Sequence, residues 1–210
     1  MFAFGKMMHM YILGRSLVWL QRWRNSLGFG VQSPWAYQFN RNVVNEHYPY
    51  YAYDRLQEQI PALDKRTRKL CRLYFRIANW KQAGTIIEFS PTTDAYAKYM
   101  AAGCHSSNIM KIESGQKEDV YREALRKVGR IDILCIEPTD DYQRFLCVAK
   151  EYVDDNSMFM IHHIKKNRET KAFWTQIVED PDCITTFDLY YCGIIFFNKK
   201  RYKENYIVNF

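Results

Sequence analysis

The stretch TIIEFSPTTD, Thr85 to Asp94, decides how the rest of the chain is read. It is a short, β-branched apolar run that ends in a proline-containing polar turn, which marks a buried strand leading into a helix. Three more runs of this kind follow, at Asn108 to Glu113, Ile131 to Glu137 and Met158 to His163. The segments after the four runs, Asp94 to Ala102, Lys117 to Val128, Asp140 to Val153 and Arg168 to Asp180, are each long enough for a crossover helix, so the sheet is expected to be largely parallel. The end of the chain differs. Thr185 to Cys192, Gly193 to Asn198 and Tyr206 to Phe210 are β-rich with no helix between them, which predicts an antiparallel finish.

Upstream, Gly28, Gly30, Pro34, Pro49 and Pro61 punctuate residues 1–63, which read as a helical and loop arm packed on an α/β domain of residues 64–210. Asp64 is placed to cap a helix in which Leu70, Leu73, Tyr74 and Ile77 recur at helical spacing, with Lys65, Lys69, Arg72 and Arg76 on another face. The charge is uneven. Residues 1–80 hold 12 Lys and Arg against 4 Asp and Glu, and residues 81–210 hold 18 against 19, so the net +7 arises in the N-terminal part. Such a face can meet nucleic acid, anionic lipid or an acidic partner, or can be a solvated helix surface. Tyr48, Tyr50, Tyr51 and Tyr53 flank Pro49, where they would either cap a pocket or pack the arm onto the domain.

With 210 residues, 48% hydrophobic and 25% charged, the chain matches a single globular domain and not a disordered one. Its six cysteines are scattered, without the close pairs of a zinc clamp, and read as reduced core residues. Lys6, Arg15, Arg22 and Arg24 interrupt the apolar N-terminus, which therefore suits neither a signal peptide nor a membrane span and points to the cytoplasm. There is no Gly-x-Ser-x-Gly elbow, no phosphate loop of the Gly-Lys-Ser type and no HExxH. In an open parallel sheet the ligand crevice lies at the carboxyl ends of the strands, so the candidate site is Glu88 to Asp94, Glu113, Glu137 to Asp141 and His162 to Lys166.

The C-terminal third, MFMIHHIKKNRETKAFWTQIVEDPDCITTFDLYYCGIIFFNKKRYKENYIVNF, together with GFGVQSPWAYQF and YPYYAYDRLQ near the N-terminus, resembles a bacterial family of class I S-adenosylmethionine-dependent methyltransferases of the O-methyltransferase type. The resemblance implies a Rossmann-like, doubly wound, mostly parallel sheet with an antiparallel C-terminal strand pair. It also implies S-adenosylmethionine as cofactor and a small-molecule methyl acceptor. Glu88, Ser90, Thr92, Asp94 and Glu113 fall where that family holds the cofactor. The chain departs from the pattern in several places. Ser90 and Asp94 replace turn glycines that let the backbone approach the cofactor, Pro91 removes an N–H donor, and Asp94 adds negative charge beside a carboxylate-binding turn. Only one helix fits between Glu113 and Ile131, so the family's third strand is expected to be missing.

Metal-dependent O-methyltransferases resembling this family carry an Asp where this chain has Glu137, which could substitute for it, and Asp-Asp where it has His162-His163, an exchange of carboxylate oxygens for imidazoles that disfavours magnesium. No metal is expected. Glu137, His162 and His163 are the catalytic candidates, but adjacent strand residues point to opposite faces, so the two histidines converge only if the chain turns between them. Three functions follow: small-molecule methyl transfer from a degenerate cofactor site, a non-catalytic interaction or regulatory module on the same fold, and a nucleic-acid methyltransferase using Lys65, Lys69, Arg72 and Arg76.

Overall fold

The computed structural model describes Leu20, Arg22 and residues 33–210. The mixed apolar and basic N-terminal stretch, apart from those two residues, and Gly28 to Gln32 of the resembling arm lie outside the described residues. The helices are α1 (Pro34–Phe39), α2 (Tyr51–Gln59), α3 (Lys65–Lys81), α4 (Ala95–Gly103), α5 (Glu118–Val128), α6 (Tyr142–Ala149) and α7 (Arg168–Glu179). The strands are β1 (Thr85–Phe89), β2 (Asn108–Ile112), β3 (Ile133–Ile136), β4 (Met158–His162), β5 (Thr185–Asp188), β6 (Cys192–Phe196) and β7 (Glu204–Ile207). A π-helical turn, Asn40–Val44, extends α1.

Local chemistry sets the helix starts. Ser33 caps α1 ahead of Pro34, whose fixed φ suits a first turn. Asp64 accepts hydrogen bonds from Arg66 N (2.8 Å) and Thr67 N (3.2 Å) at the start of α3. Asn167 and Thr170 form a reciprocal capping box on α7.

The seven strands form one sheet in the order β2-β1-β3-β4-β6-β5-β7. The first four pair in parallel, and β6 runs antiparallel to both β4 and β5. Only α5 separates β2 from β3, with no strand between them, as the short span predicted, and β2 is an edge. One expectation needs correction: β7 is not part of the antiparallel finish, because it pairs in parallel with β5, Thr185 opposite Glu204. The edges of β6 are taken by β4 and β5, so the chain that leaves β6 pairs with the free edge of β5.

Both faces of the sheet are covered, as the continuous apolar strands require. Ile86, Cys135 and Met160 face a core built with α1 to α4, while Ile87, Leu134 and Phe159 face one built with α5 to α7. Phe39 of α1 lies 5.1 Å, ring to ring, from both Phe187 and Phe196. Arg22 donates to Asp188 Oδ1 at 2.7 Å and so reaches the end of β5. Five cysteines are buried and free, but Cys147 is exposed, so it is not the core residue expected; it lies on the solvent side of α6.

Candidate functional site

The turn after β1 has an unusual backbone. Ser90 has φ 47°, the left-handed conformation for which glycine is the low-cost residue. Its side chain is used: Ser114 N donates to Ser90 Oγ at 2.7 Å, and Ser90 N donates to Ile112 O at 2.9 Å. These bonds cross the carboxyl ends of β1 and β2. Asp94, at the start of α4, is ion-paired with Lys111 of β2, which lowers its carboxyl pKa through that hydrogen bond and charge.

A second set of bonds spans β2 and β3. Asp141 accepts from Gly115 N (2.9 Å), Tyr121 Oη (2.5 Å) and Arg144 (3.1 Å). Glu113 is exposed on the rim. Glu88 is buried, at 1% exposure, with neither carboxylate oxygen hydrogen-bonded. Burial pushes its pKa up to about 7, with Lys111 opposing the rise.

The structure does bring Glu137, His162 and His163 together, against the expectation from strand alternation. Their ligand-type atoms lie within 4.8 Å of one another. The reason is the turn that alternation required: His162 is the last residue of β4, and His163 leaves the strand with φ 55°. His162 is fully buried and His163 half-buried.

His162 Nδ1 is 2.6 Å from Glu137 Oε1, while its Nε2 contacts the buried Tyr74 hydroxyl. His163 Nε2 is 3.6 Å from Glu137 Oε2, and Arg66 Nη2 is 3.1 Å from His163 Nδ1. Thr92 Oγ1 donates to Glu137 Oε1 at 3.4 Å. Burial works against ionisation of Glu137, but His162, then His163 and Thr92, outweigh it and hold the carboxyl below its ordinary range. Burial also lowers the His163 pKa, with Glu137 pulling the other way.

This cluster borders a cleft of ≈ 450 Å³ between α3 and the β1 turn, lined by Asp64, Arg66, Thr92, Thr93, Tyr96 and His163. The donor set does not suit magnesium, which requires an oxygen shell. Imidazole and carboxylate together suit a borderline cation, but here they are engaged by one another, by Arg66 and by Tyr74. Arg66 and Ser114 were not singled out in the sequence, and Tyr74 was read only as part of the apolar face of its helix. Arg66 and Tyr74 sit on a helix distant in sequence from His162, and nothing in one chain's sequence reports that proximity.

The basic face of α3 also changes in character. Arg76 is buried and donates to Val43 O (2.6 Å) and Val44 O (2.9 Å), so it is not available to a phosphate backbone as expected. It ties down the π-helical turn instead. Lys65 and Lys69 remain exposed, and Arg72 lies over the Tyr53 ring. Among the four tyrosines, Tyr50 and Tyr53 pack on Phe75 while Tyr48 and Tyr51 are exposed. Among the described residues, no helix is long and apolar enough to cross a membrane.

No family model matches the chain, and no curated protein does. Solved structures do match. A methyltransferase of Podospora anserina with S-adenosylhomocysteine bound superposes with a TM-score of 0.53 at 11% identity, over 73% of this chain and 90% of that one. The MycE methyltransferase of mycinamycin biosynthesis, in complex with Mg and S-adenosylhomocysteine, gives 0.52 at 9% identity over 78% of this chain. This chain spans about half of MycE, 52% of its length. At these identities the likeness is one of architecture, and it agrees with the strand order and the doubly covered sheet: the chain has the fold of class I S-adenosylmethionine-dependent methyltransferases.

Proposed function

We propose that this chain is a methyltransferase-like protein whose cofactor site has degenerated, and that it serves as a non-catalytic binding module on a fold that once supported small-molecule O-methyl transfer. The observation that carries this reading is the bridge from Ser114 N to Ser90 Oγ, 2.7 Å long, across the strand ends where a cofactor would lie. The residues present do not fit S-adenosylmethionine. A cofactor carboxylate would meet Asp94, Pro91 offers no N–H, and Asp141 already takes the Gly115 N–H and the Tyr121 hydroxyl. What stays open is the cleft beside His163, where Arg66, Thr92 and Thr93 present polar groups to a ligand.

The test is calorimetric titration of the chain with S-adenosylmethionine and S-adenosylhomocysteine up to millimolar concentration, with and without magnesium. No saturable heat and no thermal stabilisation are expected, where a ligand at a hundredfold excess over its dissociation constant would add ~2.7 kcal/mol. Saturable one-site binding would overturn the reading and return the chain to the working methyltransferases. Ser90→Gly is expected to leave stability nearly unchanged, because relief of left-handed strain offsets a lost hydrogen bond, each worth about 1 kcal/mol.

A further inference from the structure

The basic stripe of α3 lines a pocket rather than a convex surface. Lys65, Arg68, Lys69, Arg72 and Arg76 face the segment from Val44 to Tyr48 across a space of ≈ 230 Å³. The lining also holds Phe210, whose ring lies 4.3 Å from Lys69 Nζ, and Glu46, whose carboxylate already accepts from the Tyr50 hydroxyl at 3.0 Å. Among the described residues, Lys65, Arg68, Arg72 and Arg76 form no ion pair with an Asp or Glu side chain. Like charges gathered in a concave, partly desolvated site repel one another and call for an anion.

The guanidinium groups are also held in place. Arg76 is fixed at the back of the pocket by the Val43 and Val44 carbonyls. Arg72 is stacked 4.9 Å above the Tyr53 ring, and Arg68 donates to Leu63 O at 3.1 Å. Among the described residues, the Nε atoms of Arg68 and Arg72 are buried without an acceptor, as is that of Arg66 on another face of α3. Planar guanidinium groups held in fixed orientations match the oxygens of phosphate.

We propose that this pocket binds the di- or triphosphate group of a small molecule. Its size and enclosure favour a compact polyanion over a nucleic-acid strand, which would need an open track of cations. Tyr48, 74% exposed at the rim, is placed to meet whatever the phosphates are attached to. The site lies on a different face of α3 from the His163 cleft, so the inference stands whether or not the cofactor crevice is closed.

The experiment is calorimetric titration of the full chain with inorganic phosphate, pyrophosphate and tripolyphosphate at several salt concentrations. Saturable 1:1 binding is expected, tightest for tripolyphosphate and weakening as salt rises. Arg68→Gln or Arg72→Gln should weaken it at least tenfold, and Lys65→Ser at least threefold. Lys127→Ser, which removes a charge already paired with Glu123 on α5, should leave it unchanged. Should Arg72→Gln fail to fold, Arg68→Gln and the exposed Lys65→Ser carry the test. Absence of saturable binding at millimolar pyrophosphate and tripolyphosphate overturns the proposal, as does binding indifferent to all the pocket variants. An oligonucleotide that binds more tightly than tripolyphosphate, with affinity growing with strand length, would replace the pocket with a nucleic-acid surface.

Discussion

Glu88 sits in the middle of the sheet, opposite Lys111 on one side and Cys135 on the other, and its carboxylate has no hydrogen-bond partner among the described residues. In an unfolded chain it titrates near 4.5; in the folded protein burial raises this to about 7. A raised folded pKa means that the stability associated with the protonated form is fully present below pH 4.5 and is lost as pH rises through about 7. The loss from this group is of order 1–3 kcal/mol. Denaturant unfolding across pH 4.5 to 8 should show the decline, and Glu88→Gln should flatten it, because the amide carries no charge at either end. A decline of the same size in the variant would assign it to other groups. Glu137, only one strand away, shows the opposite behaviour because it has partners: His162 and His163 hold it ionised despite comparable burial.

At the scale of elements, α3 and α4 approach each other closely at a glycine. A Cβ on Gly103, the last residue of α4, would fall 2.3 Å from the carbonyl oxygen of Phe75 in α3. The obstacle is backbone, which cannot rotate away as a side chain can. Gly103→Ala should therefore destabilise the protein by about 1–3 kcal/mol, the usual cost of overpacking, even though alanine favours the helix. Thermal unfolding of the variant measures this, and an unchanged or raised midpoint would show that the two helices separate freely. The consequence reaches the site, because α3 carries Arg66 and Tyr74 and α4 carries Tyr96, which together frame the histidine pair.

At the scale of the whole molecule, the segment from Pro34 to Gln59 is joined to the α/β sheet by aromatic packing and by one buried cation. Arg76 supplies two hydrogen bonds to the carbonyls of Val43 and Val44. Arg76→Met keeps much of the side-chain volume but leaves those carbonyls unpaired, and it should cost about 2–4 kcal/mol. Amide hydrogen exchange should rise around residues 40–46 before it rises in β1 or β3. Equal loss of protection across the sheet would mean that the segment and sheet unfold as one unit.

Much of the architecture was legible in the sequence because it rests on local signals. The apolar runs beginning at Thr85, Asn108, Ile131 and Met158 each hold a strand, and the segments between them hold helices, since buried strands and amphipathic helices leave different periodicities along the chain. The missing third strand could be read from the short span between Glu113 and Ile131. The path of β7 could not, because strand pairing depends on which sheet edge is free, and that is known only when all seven strands are placed. The site divides in the same way. Residue types at Ser90, Asp94 and Glu137 already set these positions apart from the pattern the chain resembles. That Ser90 and Asp94 are spent on bonds to β2 and its following loop, that His163 turns back toward Glu137, and that Arg76 is buried while its neighbours line a pocket, are outcomes of tertiary structure. Each joins residues far apart in sequence through distance, angle and burial, and these are fixed only by packing.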